Sequence, residues 1–232
     1  SDTSTEVWSL RRMIDIFHSV CTTMAYAHNK GVIHRDLKPS NIMVGDYGEV
    51  FVVDWGIAKV VQQNTTDGIE EEQVQTNRSM MGYQHVENEI LGTPAYMSPE
   101  QAWGRVNILD KRSDIYSLGV ILYKILTGET YHKGSIYQII EQKRSGVLCT
   151  GPLEEESEAR TKINHETFHL TQTRDVQKED ASSQFKLPRS FKGRALPEEL
   201  IRICEKSMQP LIEGRYNNTM ELAHDVQSWL DG

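Results

Sequence analysis

The sequence is short of cysteine, of basic charge and of long apolar runs, and each shortage speaks against a class of protein. Its three cysteines, Cys21, Cys149 and Cys204, lie far apart and form no Cys-x-x-Cys pair. A disulfide framework or zinc site is therefore not expected, and a reducing compartment fits best, the cytoplasm or, if the full protein has a transmembrane segment, the cytoplasmic face of the membrane. Lys and Arg number 25 against 33 Asp and Glu, a net charge of −8. A nucleic-acid footprint would need a basic face, so no nucleic-acid partner is expected. Acidity of this size serves solubility. No apolar run reaches the length of a bilayer span, so no membrane contact is expected within this chain. The opening SDTSTEVWSL is polar and unlike a signal peptide. What remains, 232 residues with 38% apolar and 25% charged side chains, suits a globular domain with a sizeable core.

Helical periodicity dominates the pattern. Trp8, Leu10, Met13, Ile14, Phe17, Val20, Cys21 and Met24 form an apolar stripe, predicting a helix capped by Ser4 or Thr5 and running to about His28. Residues 41–44 and 50–53 read as two short strands around Gly45-Asp-Tyr-Gly-Glu49, a hairpin. Residues 61–90 are polar and irregular and read as a long loop. Ser113-Asp114 precedes a segment to Thr127 that is apolar almost all round, which predicts a buried helix ended by Gly128. Further helices are expected at about 135–144, from Pro197 to Met208, and at about 219–230. Residues 149–186 carry charge runs and few apolar anchors, and are expected to form a disordered or loosely packed insertion. The expected fold class is mainly α with small β hairpins.

Three stretches carry chemistry. His34-Arg-Asp-Leu-Lys-Pro-Ser-Asn41 lies between the first helix and the hairpin. In an extended loop Asp36 and Lys38 point to one side, so a proton acceptor and a cation would stand together. Asp54-Trp-Gly56 closes the second strand, 18 residues after Asp36. Gly92-Thr-Pro-Ala-Tyr-Met-Ser-Pro-Glu100 follows the long loop.

In this order and spacing the three stretches resemble the catalytic, metal-binding and substrate-binding loops of eukaryotic-type (Hanks-type) serine/threonine protein kinases. The phrases GEVFVVDWGIAK and GTPAYMSPEQA resemble bacterial receptor-type and planctomycete kinases in particular. The resemblance covers about residues 5–148 and 187–230, and it implies a fold, an activity and a set of roles. The fold would be the kinase C-terminal lobe, occupying residues 1–232. The activity would be transfer of the ATP γ-phosphate to Ser or Thr hydroxyls of a protein substrate, with Mg²⁺. Asp36 would be the base, Lys38 would neutralise charge on the transferred phosphate, and Asn41 and Asp54 would hold Mg²⁺. Met43 would floor the adenine pocket. Thr93 would bridge Asp36 and Lys38. Trp55, replacing the family's Phe, would fill an apolar slot, with His34 and Arg35 completing the catalytic loop. Glu100 would pair with Arg215, and Asp114 would hold the catalytic-loop backbone.

Kinases of this type usually hold the activation loop through the arginine of the catalytic loop and a phosphorylated residue. Here Glu87 and Glu89 occupy that window, with no Ser or Thr from 81 to 90. One of them is expected to pair with Arg35 in place of a phosphate. The resemblance also has a gap, because the sequence contains no Gly-x-Gly-x-x-Gly loop. The N-terminal β lobe is therefore expected to be absent, a missing partner from the same polypeptide, and this fragment is expected to be inactive alone. The alternative is a non-catalytic, pseudokinase-like binding module.

Overall fold

The computed structural model describes residues 8–55, 59–60, 93–145 and 186–232. The expected insertion, apart from Lys186, lies outside the described residues, as do Gly56, Glu87, Glu89 and Cys149.

Helix α1 spans Leu10–Asn29. Its N-cap is Ser9, whose Oγ accepts from the Arg12 amide at 3.2 Å. This corrects the expected start at Ser4 or Thr5 and leaves Trp8 ahead of the helix, 37% exposed. A short strand β1 (Val32–Ile33) follows and pairs antiparallel with β4 (Lys59–Val60). Strands β2 (Ile42–Val44) and β3 (Val50–Val52) form the expected hairpin, in the register Met43 opposite Phe51. Its turn needs Gly48, whose φ of 90° disfavours any side chain.

After a one-turn helix α2 (Pro99–Ala102) comes α3 (Lys111–Thr127). The N-cap of α3 is Asp110, which accepts from the Arg112 amide, and not Ser113 or Asp114. Those two side chains sit inside the first turn and serve tertiary contacts instead. Gly128 ends α3 in the left-handed conformation, φ 76°. Helix α4 (Ile136–Ser145), the hairpin β5 (Ser190–Phe191) and β6 (Arg194–Ala195), helix α5 (Glu198–Ser207) and helix α6 (Thr219–Asp231) complete the described chain. The fold is mainly α, with three two-stranded sheets among the described residues, of which β2–β3 and β5–β6 are hairpins.

The core forms where α1, α3, α5 and α6 meet. Ile14, Phe17 and Met24 of α1 join Ile115, Leu118 and Leu122 of α3, Leu200 of α5, and Leu222 and Val226 of α6. Each such side chain contributes about 1.5–3 kcal/mol by leaving water. Helix α3 is buried on every side, as its apolar circumference predicts, so α3 is the fixed post to which the loops attach. Helix α5 crosses it at Gly119. A Cβ there would stand 2.7 Å from both Met208 Cγ and Ser207 Cβ. Gly119→Ala is expected to cost about 1–3 kcal/mol by overpacking. A thermal melt that left Tm unchanged would contradict this packing.

Candidate active site

The site begins with one buried carboxylate. Asp114, fully buried in the first turn of α3, accepts the backbone amides of His34 and Arg35, both at 2.8 Å. It also accepts from His28 Nε2 at 2.8 Å. A carboxylate only accepts, so Nε2 carries a hydrogen, while His28 Nδ1 meets Thr219 Oγ1 at 2.8 Å. The end of α1, the first turn of α3 and the start of α6 are thus tied to one loop. That tie has a use. Arg35 takes a left-handed φ of 67°, which costs a non-glycine residue about 1–2 kcal/mol. The two charged hydrogen bonds to Asp114, from the amide of Arg35 and the one before it, offset the strain. Gln101 adds another support, donating from Nε2 to the Arg35 carbonyl at 2.7 Å.

The bent loop presents a triangle of polar groups. Lys38 Nζ donates to Asp36 Oδ2 at 2.7 Å and to Thr93 Oγ1 at 2.8 Å. The Thr93 amide donates to Asp36 Oδ1 at 2.9 Å. Asp36 and Lys38 come from one loop, Thr93 from more than fifty residues later. Asn41 is joined to them through its Nδ2, which donates to the Asp36 carbonyl at 2.9 Å. With the amide nitrogen so committed, the side-chain oxygen of Asn41 is turned elsewhere. The Asn41 carbonyl accepts from the Val53 amide at 2.9 Å, and Asp54 follows Val53 in the chain. Asp54 also has a left-handed φ, 64°. Trp55 leans on the His34 ring, centroids 4.6 Å apart, and its indole N–H is satisfied by the Val52 carbonyl at 2.9 Å. His34, wholly buried, reaches the Val53 carbonyl at 3.1 Å. Met43 and its cross-strand partner Phe51 are both exposed, 58% and 56%.

A second charged centre lies apart from the first. Arg215 forms a two-pronged pair with Glu100, at 2.8 and 2.9 Å. Its other donors reach the carbonyls of Gln209, Arg112 and Pro210. Every N–H of the guanidinium is therefore used. Ser113 Oγ donates to Glu100 Oε1 at 2.7 Å. Burial pushes the Glu100 carboxyl up, but the hydrogen bonds and charge of Arg215 outweigh it and hold it below its ordinary 4.5. This pair clamps the base of the 93–100 segment to the far side of the domain.

The protein kinase domain pattern matches residues 3–225. This chain belongs to the protein kinase domain family. Over 229 residues it is 31% identical to the serine/threonine-protein kinase PknD of Protochlamydia amoebophila, covering 97% of this chain and 19% of that protein. It is 39% identical over 122 residues to PknD of Chlamydia caviae, and 42% identical over 126 residues to PknD of Chlamydia trachomatis serovar L2b. Each match covers 53% of this chain and 13% of the relative. The chain thus spans less than a fifth of the length of these relatives. Protein kinases generally use ATP and Mg²⁺. Among the described residues no helix is long and apolar enough to cross a membrane.

In this kinase domain, sequence reasoning missed His28 and Gln101. Gln101 is legible in part, because Ser98-x-x-Gln101 is a capping box, and the structure forms it. Nothing local marks His28, whose partners lie 86 and 191 residues away. Lys143 on α4 was also passed over. It is 3% exposed, its Nζ has no hydrogen-bond partner, and it stands 4.9 Å from the centre of the Tyr116 ring. Burial, then repulsion from Arg215, pushes its amine well below the ordinary 10.5. Burial, then the charge of Lys143, pushes His132 down to about 3. Lys143→Met keeps the stem and removes the amine, so it is expected to stabilise the fold by roughly 1–3 kcal/mol near neutral pH. A lysine depressed in the folded state loses less stability as pH rises toward its unfolded value. The advantage of the methionine should therefore shrink between pH 7 and 10.5. Denaturant melts at both pH values check the sign.

Proposed function

We propose that this chain is the larger lobe of a serine/threonine protein kinase, and that it moves the γ-phosphate of ATP to a protein hydroxyl. The triangle of Asp36, Lys38 and Thr93 carries this reading. It places an acceptor for the hydroxyl proton beside a cation, with the threonine holding both. Asp36 takes the proton of the incoming Ser or Thr. Lys38 offsets the charge developing on the transferred group. The backbone of Thr93 keeps one Asp36 oxygen fixed, so the carboxylate needs no reorganisation during the reaction.

The donor set suits Mg²⁺. Asp54 offers a carboxylate and Asn41 a neutral oxygen, and the backbone bond from Val53 to Asn41 at the end of the β2–β3 hairpin supports their serving one site. Both are hard oxygen ligands, and Mg²⁺ commonly takes only one or two from protein, filling the rest with water and phosphate. Bound there, the ion neutralises charge on the phosphates. The exposed pair Met43 and Phe51 offers an apolar floor for a base. A Gly-rich cover is not in this sequence, and the reading assigns it to a smaller lobe supplied by the same polypeptide.

The test is label transfer from γ-labelled ATP by the full-length gene product, with Mg²⁺ and paired peptides that differ only in a Ser or Tyr acceptor. Label is expected on the serine peptide alone. No transfer to either peptide refutes the proposal. In the same protein Asp54→Ala is expected to weaken Mg-ATP binding. Losing even an outer partner of a metal costs roughly 10–100-fold, so losing a ligand should cost at least ~10-fold. Unchanged affinity would remove Asp54 from the metal site.

A further inference from the structure

Two arginines stand on one exposed tryptophan, and among the described residues neither has a carboxylate partner. Trp103 closes α2 and is 43% exposed. The Arg105 guanidinium lies 5.2 Å from its ring centre, and that of Arg144, from α4, lies 5.8 Å away. Gly104, with φ 65°, turns the chain between Trp103 and Arg105. The Arg105 amide is anchored on the Glu100 carbonyl at 3.0 Å. Arg144 spends its Nε on the Ala102 carbonyl at 2.8 Å. Among the described residues neither guanidinium pairs with a carboxylate. Other arginines do find carboxylates, as Arg112 does in Asp110, Arg202 in Glu198 and Arg215 in Glu100. In a chain of net charge −8, two guanidiniums on one ring make a local positive patch.

The surroundings are apolar and open. On α4, Tyr137 is 70% exposed and lies two turns before Arg144 on the same face. Glu141, the acidic residue between them on that face, repels a strongly charged anion from the helix side. In the chain, the patch begins about ten residues after Thr93, which the proposed function places beside Asp36 and Lys38.

We propose that Trp103, Arg105 and Arg144 form a docking surface for a carboxylate-rich segment of the protein substrate, some residues away from its Ser or Thr. Guanidiniums present paired N–H groups that match carboxylates. The indole holds them in place, and its exposed part takes the aliphatic stems of Glu side chains. The identity of the occupant as substrate rests on the kinase reading; the acidic preference of the surface does not.

The experiment is calorimetric titration of the full-length protein, without ATP, with three peptides that share one Ser acceptor. One carries a Glu tract, one a Gln tract and one a single phosphoserine in place of the tract. The Glu peptide is expected to bind roughly tenfold tighter than the Gln peptide, with the difference falling as salt rises. Arg105→Glu/Arg144→Glu should abolish that preference and favour a Lys-tract peptide. With ATP, the same variant should raise KM for the Glu peptide about tenfold and leave its kcat unchanged. Arg105→Glu alone, at a side chain that makes no hydrogen bond, keeps the test valid if the double variant melts early. Equal binding of the Glu and Gln peptides overturns the proposal, and so does a preference that survives charge reversal. Tighter binding of the phosphoserine peptide overturns the carboxylate assignment. Charge-dependent binding of a Glu peptide that is never phosphorylated would refute the kinase reading and keep the surface.

Discussion

Asp36→Asn is expected to lower kcat by about 10²–10⁴-fold while leaving the fold in place. The substitution keeps the shape of the side chain. An oxygen remains to accept the Thr93 amide, which reaches Asp36 Oδ1 at 2.9 Å. The basic carboxylate is gone, and so is the charge facing Lys38 Nζ at 2.7 Å. Both side chains of that pair are partly exposed, 21% and 10%, so its loss should cost no more than about 1 kcal/mol of stability. The effect on catalysis should therefore exceed any effect on Tm. The measurement is kcat and KM for a serine peptide in the full-length protein, beside a thermal melt. A variant with wild-type kcat would strip Asp36 of the role of base. A variant that unfolds would show that the triangle holds the loop more than it does chemistry.

The largest structural effect is expected at Arg215. Arg215→Ala leaves Glu100, 4% exposed, with Ser113 as its remaining side-chain donor. Breaking a buried pair in this way costs about 3–5 kcal/mol. In a domain of this size that lowers Tm by roughly 6–20 °C. Arg215→Lys should rescue little, because an ammonium cannot form the two-pronged contact and still reach the Gln209, Arg112 and Pro210 carbonyls. The pH dependence has a definite sign. In the wild type the Glu100 carboxyl is held below 4.5. Its contribution is fully present above that value and is lost as pH falls through the lower, folded one. Without Arg215, burial, the largest influence, is opposed only by Ser113 and a backbone hydrogen bond and raises the carboxyl instead, so acid should relieve the variant. The stability gap between wild type and variant should begin to narrow above pH 4.5, as the variant's carboxyl takes up a proton, and narrow further below it, as the wild-type pair is lost. A gap that stays constant from pH 7 to pH 4 would mean that the pair contributes packing and little charge.

The legible parts of this protein are those whose cause is local. The apolar circumference of 115–127 specifies a buried helix, because no orientation of such a helix would spare it contact with water. The hairpin at 42–52 follows from two apolar runs around a turn that requires Gly48. Asp36, Lys38 and Asn41 stand out because they share one short loop. Helix starts were less legible. Ser4, Thr5 and Ser9 are chemically similar caps, and so are Asp110, Ser113 and Asp114. In the α3 turn the choice among them rests on where a tertiary partner sits. Ser113 is drawn to Glu100 and Asp114 to the 34–35 amides, which leaves Asp110 to cap.

The sequence by itself determined a mainly helical, acidic domain and the chemical letters of a phosphoryl-transfer loop, since both depend on side chains near one another along the chain. Only the tertiary structure decided which distant groups complete that loop. His28, Asp114 and Thr219 meet because α1, α3 and α6 converge on one core. Lys143 loses its water because α4 packs its inner face against the rest of the domain. Arg105 and Arg144 share one indole because α4 closes on the end of α2. These encounters carry no periodicity and no spacing rule. They arise when buried area, summed over whole helices, selects one arrangement, and the polar groups it brings together must then pair or bear the cost.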